Sequence, residues 1–247
     1  MKQTVPSFLQ PGDTIGISAT ARFATTESLA IAKRVIEAEG FQCYYSPDIS
    51  VQQHQVAGTV AERVQHFNAL IHNPDIKAIW NVRGGYGSAE IVDLVDWGAL
   101  VAQPKWLIGF SDFTTFLCHG IQKGIATLHA PMPISFSTTH PDALTATFDV
   151  LRGKEDALHC ALPKEVHGQV IAGNLSVISS ILGTPSLPNL DDCVLIIEDL
   201  DEYHYHLDRM LLALRRRGAF DRLRAVVLGE FSDIHDHDIP WGHDVQH

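Results

Sequence analysis

Residues 105–120 read KWLIGFSDFTTFLCHG. The run from Trp106 to Gly109 is apolar without a two-residue period, which suits a strand covered on both faces. Ser111 and Asp112 then open a helical pattern, so a helix is expected from Asp112 to about Lys123, with Gly124 ending it. The same alternation extends in both directions. Strands are expected at 14–19, 41–45, 78–82, 106–110 and 126–129. Between them, Leu29, Ala32 and Ile36 mark an apolar helical stripe that Gly40 stops. Thr59 and Glu62 have capping-box spacing ahead of Val64, Phe67, Leu70 and Ile71. Alternating strands and helices of this length predict an α/β domain with a parallel, doubly wound sheet.

Further along, 152–168 reads RGKEDALHCALPKEVHG, which is polar, contains Gly and Pro, and reads as a linker. Beyond it strands are expected at 169–172, 194–198 and 225–228, with helices at 175–182 and about 207–217. The chain therefore divides into an N-terminal domain over 1–153 and a smaller α/β domain over 166–247. Its 247 residues fit this division. A hydrophobic share of 45% with 19% charged residues is enough for a real core and excludes global disorder. Eighteen Lys and Arg against 29 Asp and Glu give a net charge of −11, a field that repels nucleic acid and anionic lipid. The opening MKQTVPSFLQPGDTIG has no apolar h-region, and no apolar run approaches the roughly 18–20 residues of a bilayer span. Cys43, Cys118, Cys160 and Cys193 are far apart and form no C-x-x-C pair, as in a reduced, cytoplasmic protein.

Four places could carry chemistry. Ser111 sits at a sharp strand-to-helix junction, where its hydroxyl is expected to face solvent near the first helical N–H groups. The pattern G-x-S-x-G is incomplete, since Gly109 is present but position 113 is Phe; read locally, a helix N-cap is the commoner use of such a serine. In 78–90, AIWNVRGGYGSAE, a strand runs into Arg83, Gly84, Gly85, Tyr86 and Gly87. This is neither G-x-G-x-x-G nor a P-loop. It is a tight strand-end turn, or a backbone cradle for an oxyanion or carboxylate. Glu198 ends a strongly apolar strand, where a carboxylate needs a partner or a task. Locally, it and Asp199, Asp201 and Glu202 could cap the next helix or bind Arg209 or Arg215–Arg217. His204 and His206 have strand-like spacing. His235, Asp236, His237, Asp238 and His243 cluster near the end. Spacing alone leaves a transition-metal site open, although a polar terminal loop reads better as a solvated tail.

Taken together, these segments resemble the LD-carboxypeptidases, serine peptidases also called muramoyltetrapeptide carboxypeptidases, whose relatives include self-immunity hydrolases of the peptide antibiotic microcin C. The matching stretches are PGDTIGISATA, NVRGGYG, KWLIGFSDFT, TLHAPM, GNLSVISSILGTP, LIIEDLDEYHYHLDRMLLAL and VVLGEF, in the family's order. The resemblance implies a Rossmann-like N-terminal domain and a swivelling-type C-terminal domain. It makes Ser111 the nucleophile and Glu198 the acid that orients a histidine. The backbone N–H groups of Gly85 and Asp112 would form the oxyanion hole. In the family the triad histidine follows a further helix and strand after the segment matching VVLGEF. Gly242–His243 looks instead like an earlier family element, so the expectation is that the chain lacks its C-terminal portion, with His243 a weaker candidate for the base.

The implied activity is removal of the terminal D-alanine from a cytoplasmic murein tetrapeptide, in peptidoglycan recycling. No metal or organic cofactor is required. The expected partner is the murein peptide, without nucleic acid or membrane, in a possible homodimer. Arg83, beside the glycine turn, is the expected anchor for the substrate's free carboxylate, with Gly84 next to it at the substrate. The alternatives are an immunity-type hydrolase of peptidyl or aminoacyl adenylates, and a non-catalytic binder of murein peptides.

Overall fold

The computed structural model describes residues 3–154 and 165–243. Cys160 and most of the expected linker lie outside them. The chain forms two compact units, Met1–Cys160 and Ala161–His247.

In the first unit the elements are β1 (Thr14–Ser18), α1 (Thr26–Ala38), β2 (Gln42–Tyr44), α2 (Val60–His72), β3 (Ile76–Asn81), α3 (Ser88–Ile91), α4 (Trp97–Ala102), β4 (Trp106–Gly109), α5 (Thr114–Gln122), β5 (Leu128–His129) and α6 (Pro141–Leu151). The sheet is parallel with order β2-β1-β3-β4-β5. Apolar residues fill both faces, which is why the strands show no polar alternation. On one face Ile15, Ile17, Trp80 and Ile108 pack with Leu29, Ala32 and Ile36 of α1 and Phe148 and Leu151 of α6. On the other, Ile79 and Leu107 pack with Phe67, Leu70 and Ile71 of α2 and Phe116 and Leu117 of α5. Gly16 lets α2 approach the sheet: a Cβ there would lie 2.9 Å from Leu70 Cδ2.

The helix ends follow local chemistry. Thr59 and Glu62 form the expected capping box, and Thr25 and Ser28 form a second one at α1. Gly40 and Gly124 stop their helices at φ +82° and +83°. Two differences from expectation are local. The strand expected at 126–129 pairs only through Leu128 and His129. The helix expected from Asp112 begins as a 3-10 turn, Ser111–Phe113, before α5. The residues after the glycine turn form two short helices, and Asp96 caps the second by accepting from Ala99 N.

The second unit contains β6 (Gln169–Asn174), α7 (Leu175–Ser180), β7 (Cys193–Leu200), α8 (His204–Arg216) and β8 (Ala225–Ser232), in a parallel sheet of order β6-β7-β8. Ile171, Leu175, Ile178, Leu195, Ile197, Leu207 and Leu214 are buried. His204 and His206 lie in the first turn of α8, not in a strand. The helical pattern was masked there because the polar and aromatic residues 203–206 precede the first apolar stripe residue, Leu207.

Candidate active site

The serine turn is built by β4. Gly109 ends the strand, and a Cβ there would come within 2.7 Å of the Phe113 ring, so the glycine lets that ring fold back beneath the turn. Phe110 is extended, and Ser111 takes φ +56°, a left-handed conformation uncommon for a side-chain-bearing residue. The N-cap position of the turn is Phe110 and makes no side-chain cap bond, so the helix-cap reading of Ser111 does not hold. Ser111 is half-buried rather than lifted clear into solvent. A Cβ on Gly84 would lie 2.9 Å from Ser111 Oγ and 3.0 Å from its Cβ. The hydroxyl therefore rests directly on the glycine turn. Holding a serine in this geometry costs about 1–3 kcal/mol, a strain that clusters at functional sites.

Asp112 fastens the two turns together. Its buried carboxylate accepts from Ser88 N at 2.8 Å, at the start of α3. Burial raises its pKa, and the bonds from Ser88 and the nearby Arg63 charge act in the opposite direction. The glycine turn itself uses backbone that only glycine adopts freely: Gly85 has φ +121° and Gly87 φ +138°.

A buried polar frame holds that turn, and none of it was singled out from the sequence. Asn81 Oδ1 accepts from Ser18 Oγ, Thr20 N and Thr20 Oγ1 at 3.1–3.2 Å. Asn81 Nδ2 donates to the carbonyl of Arg83 at 2.7 Å. Thr20 Oγ1 and Ser88 Oγ are 2.7 Å apart. Arg63, 2% exposed on α2, donates through Nη1 to the carbonyls of Thr20 and Gly87, both at 2.9 Å, and through Nη2 to Glu90 at 2.6 Å. Arg63 shares the buried stripe of Phe67, Leu70 and Ile71. A charged residue on an apolar stripe was the available signal. All these groups stand at the carboxyl ends of β1, β3 and β4, where the strand order reverses, the usual crevice for a ligand in an open parallel sheet. The structure thus brings together Ser111, Gly84, Gly85 and Asp112. Arg83 is half-buried in the same turn.

Glu198 belongs to the second unit. In β7 it lies in register with Asn174 of β6, and a Cβ on Gly229 of β8 would come 3.3 Å from its own Cβ. Burial, reinforced by the neighbouring Asp199 charge, pushes its pKa up to about 7 despite a hydrogen bond from Asn174. Asp199 does a different job. Its carboxylate accepts from Asn174 Nδ2, Ser176 N and its neighbour Leu200 N at 2.8–2.9 Å, tying α7 to the sheet. The local alternatives for this acidic run are not realised. Tyr203 is the N-cap of α8 and makes no side-chain cap bond. Arg209 lies 5.1 Å over the Tyr205 ring, and Arg215–Arg217 are exposed at the far end of α8.

The terminal histidines are partly organised rather than a bare solvated tail. His235 Nε2 lies 2.7 Å from Asp201 Oδ1, and His237 stacks on Tyr203 with ring centroids 4.7 Å apart. His243 is exposed. Among the described residues, no group of three or more His, Cys, Asp or Glu is placed to hold a metal ion.

Comparison with known proteins agrees with this fold. Residues 15–130 match the LD-carboxypeptidase N-terminal domain, and residues 167–246 match the C-terminal domain of that family. The murein tetrapeptide carboxypeptidase of Pseudomonas aeruginosa is 31% identical, over 89% of this chain and 76% of that protein. The microcin C7 self-immunity protein MccF of Escherichia coli is 28% identical, over 93% of this chain and 80% of that protein. The crystal structure of muramoyltetrapeptide carboxypeptidase from Oxalobacter formigenes superposes with a TM-score of 0.86 at 26% identity, covering 94% of this chain and 81% of that one. The two matched domains together span most of the sequence, and the chain belongs to the LD-carboxypeptidase family.

Proposed function

We propose that the protein is a cytoplasmic serine peptidase that removes the terminal D-alanine from murein tetrapeptides by acyl transfer. Ser111 Oγ attacks the scissile carbonyl as a histidine takes its proton, and Glu198 orients that histidine and stabilises the imidazolium. The N–H groups of Gly85 and Asp112 receive the developing oxyanion, and each such donor is worth about 3–4 kcal/mol in the barrier. Collapse breaks the C–N bond, the imidazolium protonates the leaving amine, and water then releases the acyl group from Ser111. Gly84 sets how closely the substrate backbone approaches the hydroxyl. The sequence suggests Arg83, in the same turn, for the free carboxylate, a role on which the cavity beside the turn bears.

The observation that carries this reading is Ser111 at φ +56° with its Oγ seated on the Gly84–Gly85 turn. The test is release of D-alanine from a murein tetrapeptide by the full-length protein, set beside hydrolysis of an aminoacyl sulfamoyl adenosine. Tetrapeptide cleavage lost in Ser111→Ala supports the proposal. Turnover of the adenylate analogue alone favours an immunity-type hydrolase, the reading that similarity to MccF keeps in view. Binding of tetrapeptide without cleavage leaves a non-catalytic binder. His243→Ala asks about the base: unchanged turnover assigns the proton transfer to another histidine.

A further inference from the structure

A cavity of about 450 Å3 opens beside the glycine turn, lined by Arg22, Gln53, His54, Gln55, Val56 and Tyr86. Its walls are tied to the machinery around Ser111. Arg22 N donates to the Gly84 carbonyl at 3.4 Å, and Ala57 N donates to the Ala21 carbonyl at 2.9 Å. Val56 pairs in short antiparallel bridges with Arg22 and Gln53. The stem of Arg22 crosses the turn so closely that a Cβ on Gly85 would lie 2.6 Å from Arg22 Cγ and 3.0 Å from its Nε.

Among the described residues the partner of the guanidinium is neutral: Nη2 donates to Gln55 Oε1 at 3.2 Å. Among the described residues no carboxylate pairs with it, in a chain where acids outnumber bases 29 to 18. An arginine kept out of ion pairs, at the rim of a cavity and folded over a proposed oxyanion donor, is suited to an anion brought by the substrate. A carboxypeptidase substrate brings one. Its free carboxylate is two bonds from the scissile nitrogen, so a carbonyl held at Gly85 N–H carries that group toward whatever lies over Gly85.

Resting on the peptidase reading above, we infer that Arg22 seats the free carboxylate of the departing residue, with Gln55 orienting the guanidinium and the Tyr86 ring, 68% exposed, forming the apolar wall for a small side chain. Arg22 takes the role the sequence suggested for Arg83, which does not line this cavity.

The full-length protein is assayed on a murein tetrapeptide ending in D-alanine and on the same peptide ending in D-alaninamide. The unmodified protein should favour the acid. In Arg22→Gln the KM for the acid should rise about 10- to 100-fold, the range of a lost charge-assisted pair, with far less change for the amide; Arg22→Lys should recover part of the preference. In a Ser111→Ala background, calorimetric dissociation constants for the two peptides should show the same collapse of the ratio without turnover. Equal losses for acid and amide in Arg22→Gln, no acid preference in the unmodified protein, or a preference erased by Arg83→Gln but not by Arg22→Gln would each overturn the assignment while leaving the peptidase reading intact. No D-alanine release by the unmodified protein would instead remove the peptidase reading, and this inference with it.

Discussion

Ser111 shows how one residue can be placed for chemistry at a local cost. Its left-handed backbone is imposed from outside, by Gly109 letting Phe113 fold under the turn and by Asp112 tying the turn to Ser88. Replacement by glycine should relieve about 1–2 kcal/mol of Cβ strain and return part of it as chain entropy, so Ser111→Gly should unfold in urea at an equal or slightly higher midpoint. The same variant, like Ser111→Ala, should lose turnover by about 10,000-fold or more. A clear drop in the midpoint for Ser111→Gly would show that the hydroxyl serves the fold. Gly84 makes the complementary case. Gly84→Ala sets a methyl 2.9 Å from Ser111 Oγ and 3.4 Å from Met132 Cε. It should cost about 1–3 kcal/mol by overpacking and, by displacing the nucleophile, lower kcat about 100-fold with a smaller change in KM. Steady-state kinetics showing wild-type kcat would mean that the hydroxyl does not depend on this seat.

At the scale of elements, the ends of β1, β3 and β4 position the serine and glycine turns, and the buried α2 residue Arg63 holds the glycine turn in place. Arg63 satisfies the Thr20 and Gly87 carbonyls together, so the helix is bolted to both the end of β1 and the glycine turn. Arg63→Ala leaves two buried acceptors without a donor and should destabilise by about 2–5 kcal/mol. Arg63→Lys keeps the charge but not the fork and should recover only part of this. Both variants should lose kcat beyond what their folded fraction explains, which urea unfolding and turnover on the same samples separate. The elements themselves were legible. The capping box at Thr59 and the stops at Gly40 and Gly124 act over a few residues and stand in the sequence as written. The 3-10 start at Ser111 was not, because Phe113 is helix-compatible locally and is drawn inward only by the buried cluster it joins.

For the whole molecule, the second unit contributes a carboxylate whose protonation follows pH in the neutral range. Burial raises the Glu198 pKa from 4.5 to about 7. The folded state therefore holds this proton more tightly than the unfolded chain. Its contribution to stability is complete below about pH 4.5 and is lost as pH rises through 7, by up to about 3 kcal/mol. Glu198→Gln carries no such proton. Urea unfolding should thus show the stability of wild type falling relative to Glu198→Gln between pH 5 and 8, then running parallel above. Parallel curves across the whole range would mean that Glu198 is already ionised at pH 5. Turnover should be lost in Glu198→Gln at every pH, since an amide cannot stabilise an imidazolium.

The amino-acid order alone determined the alternation of strands and helices, the two-unit plan, and Ser111, Glu198 and the Gly84–Gly85 turn as the places to look. Those features are written in hydrophobic period, turn chemistry and collinear motifs, all of which act along the chain. The sequence could not distinguish a capping serine from a strained one, nor an acid that ties a helix down from a neighbour whose pKa burial pushes up to about 7. Burial raises the pKa of both Glu198 and its neighbour Asp199, but Asp199 also accepts from Ser176 N and Leu200 N, bonds that only the folded second unit supplies. Only the tertiary structure brought Thr20, Arg22, Arg63, Asn81 and Ser88 to the ends of three parallel strands. Sequence separations of up to 68 residues are closed there by hydrogen bonds that exist only once the sheet has formed.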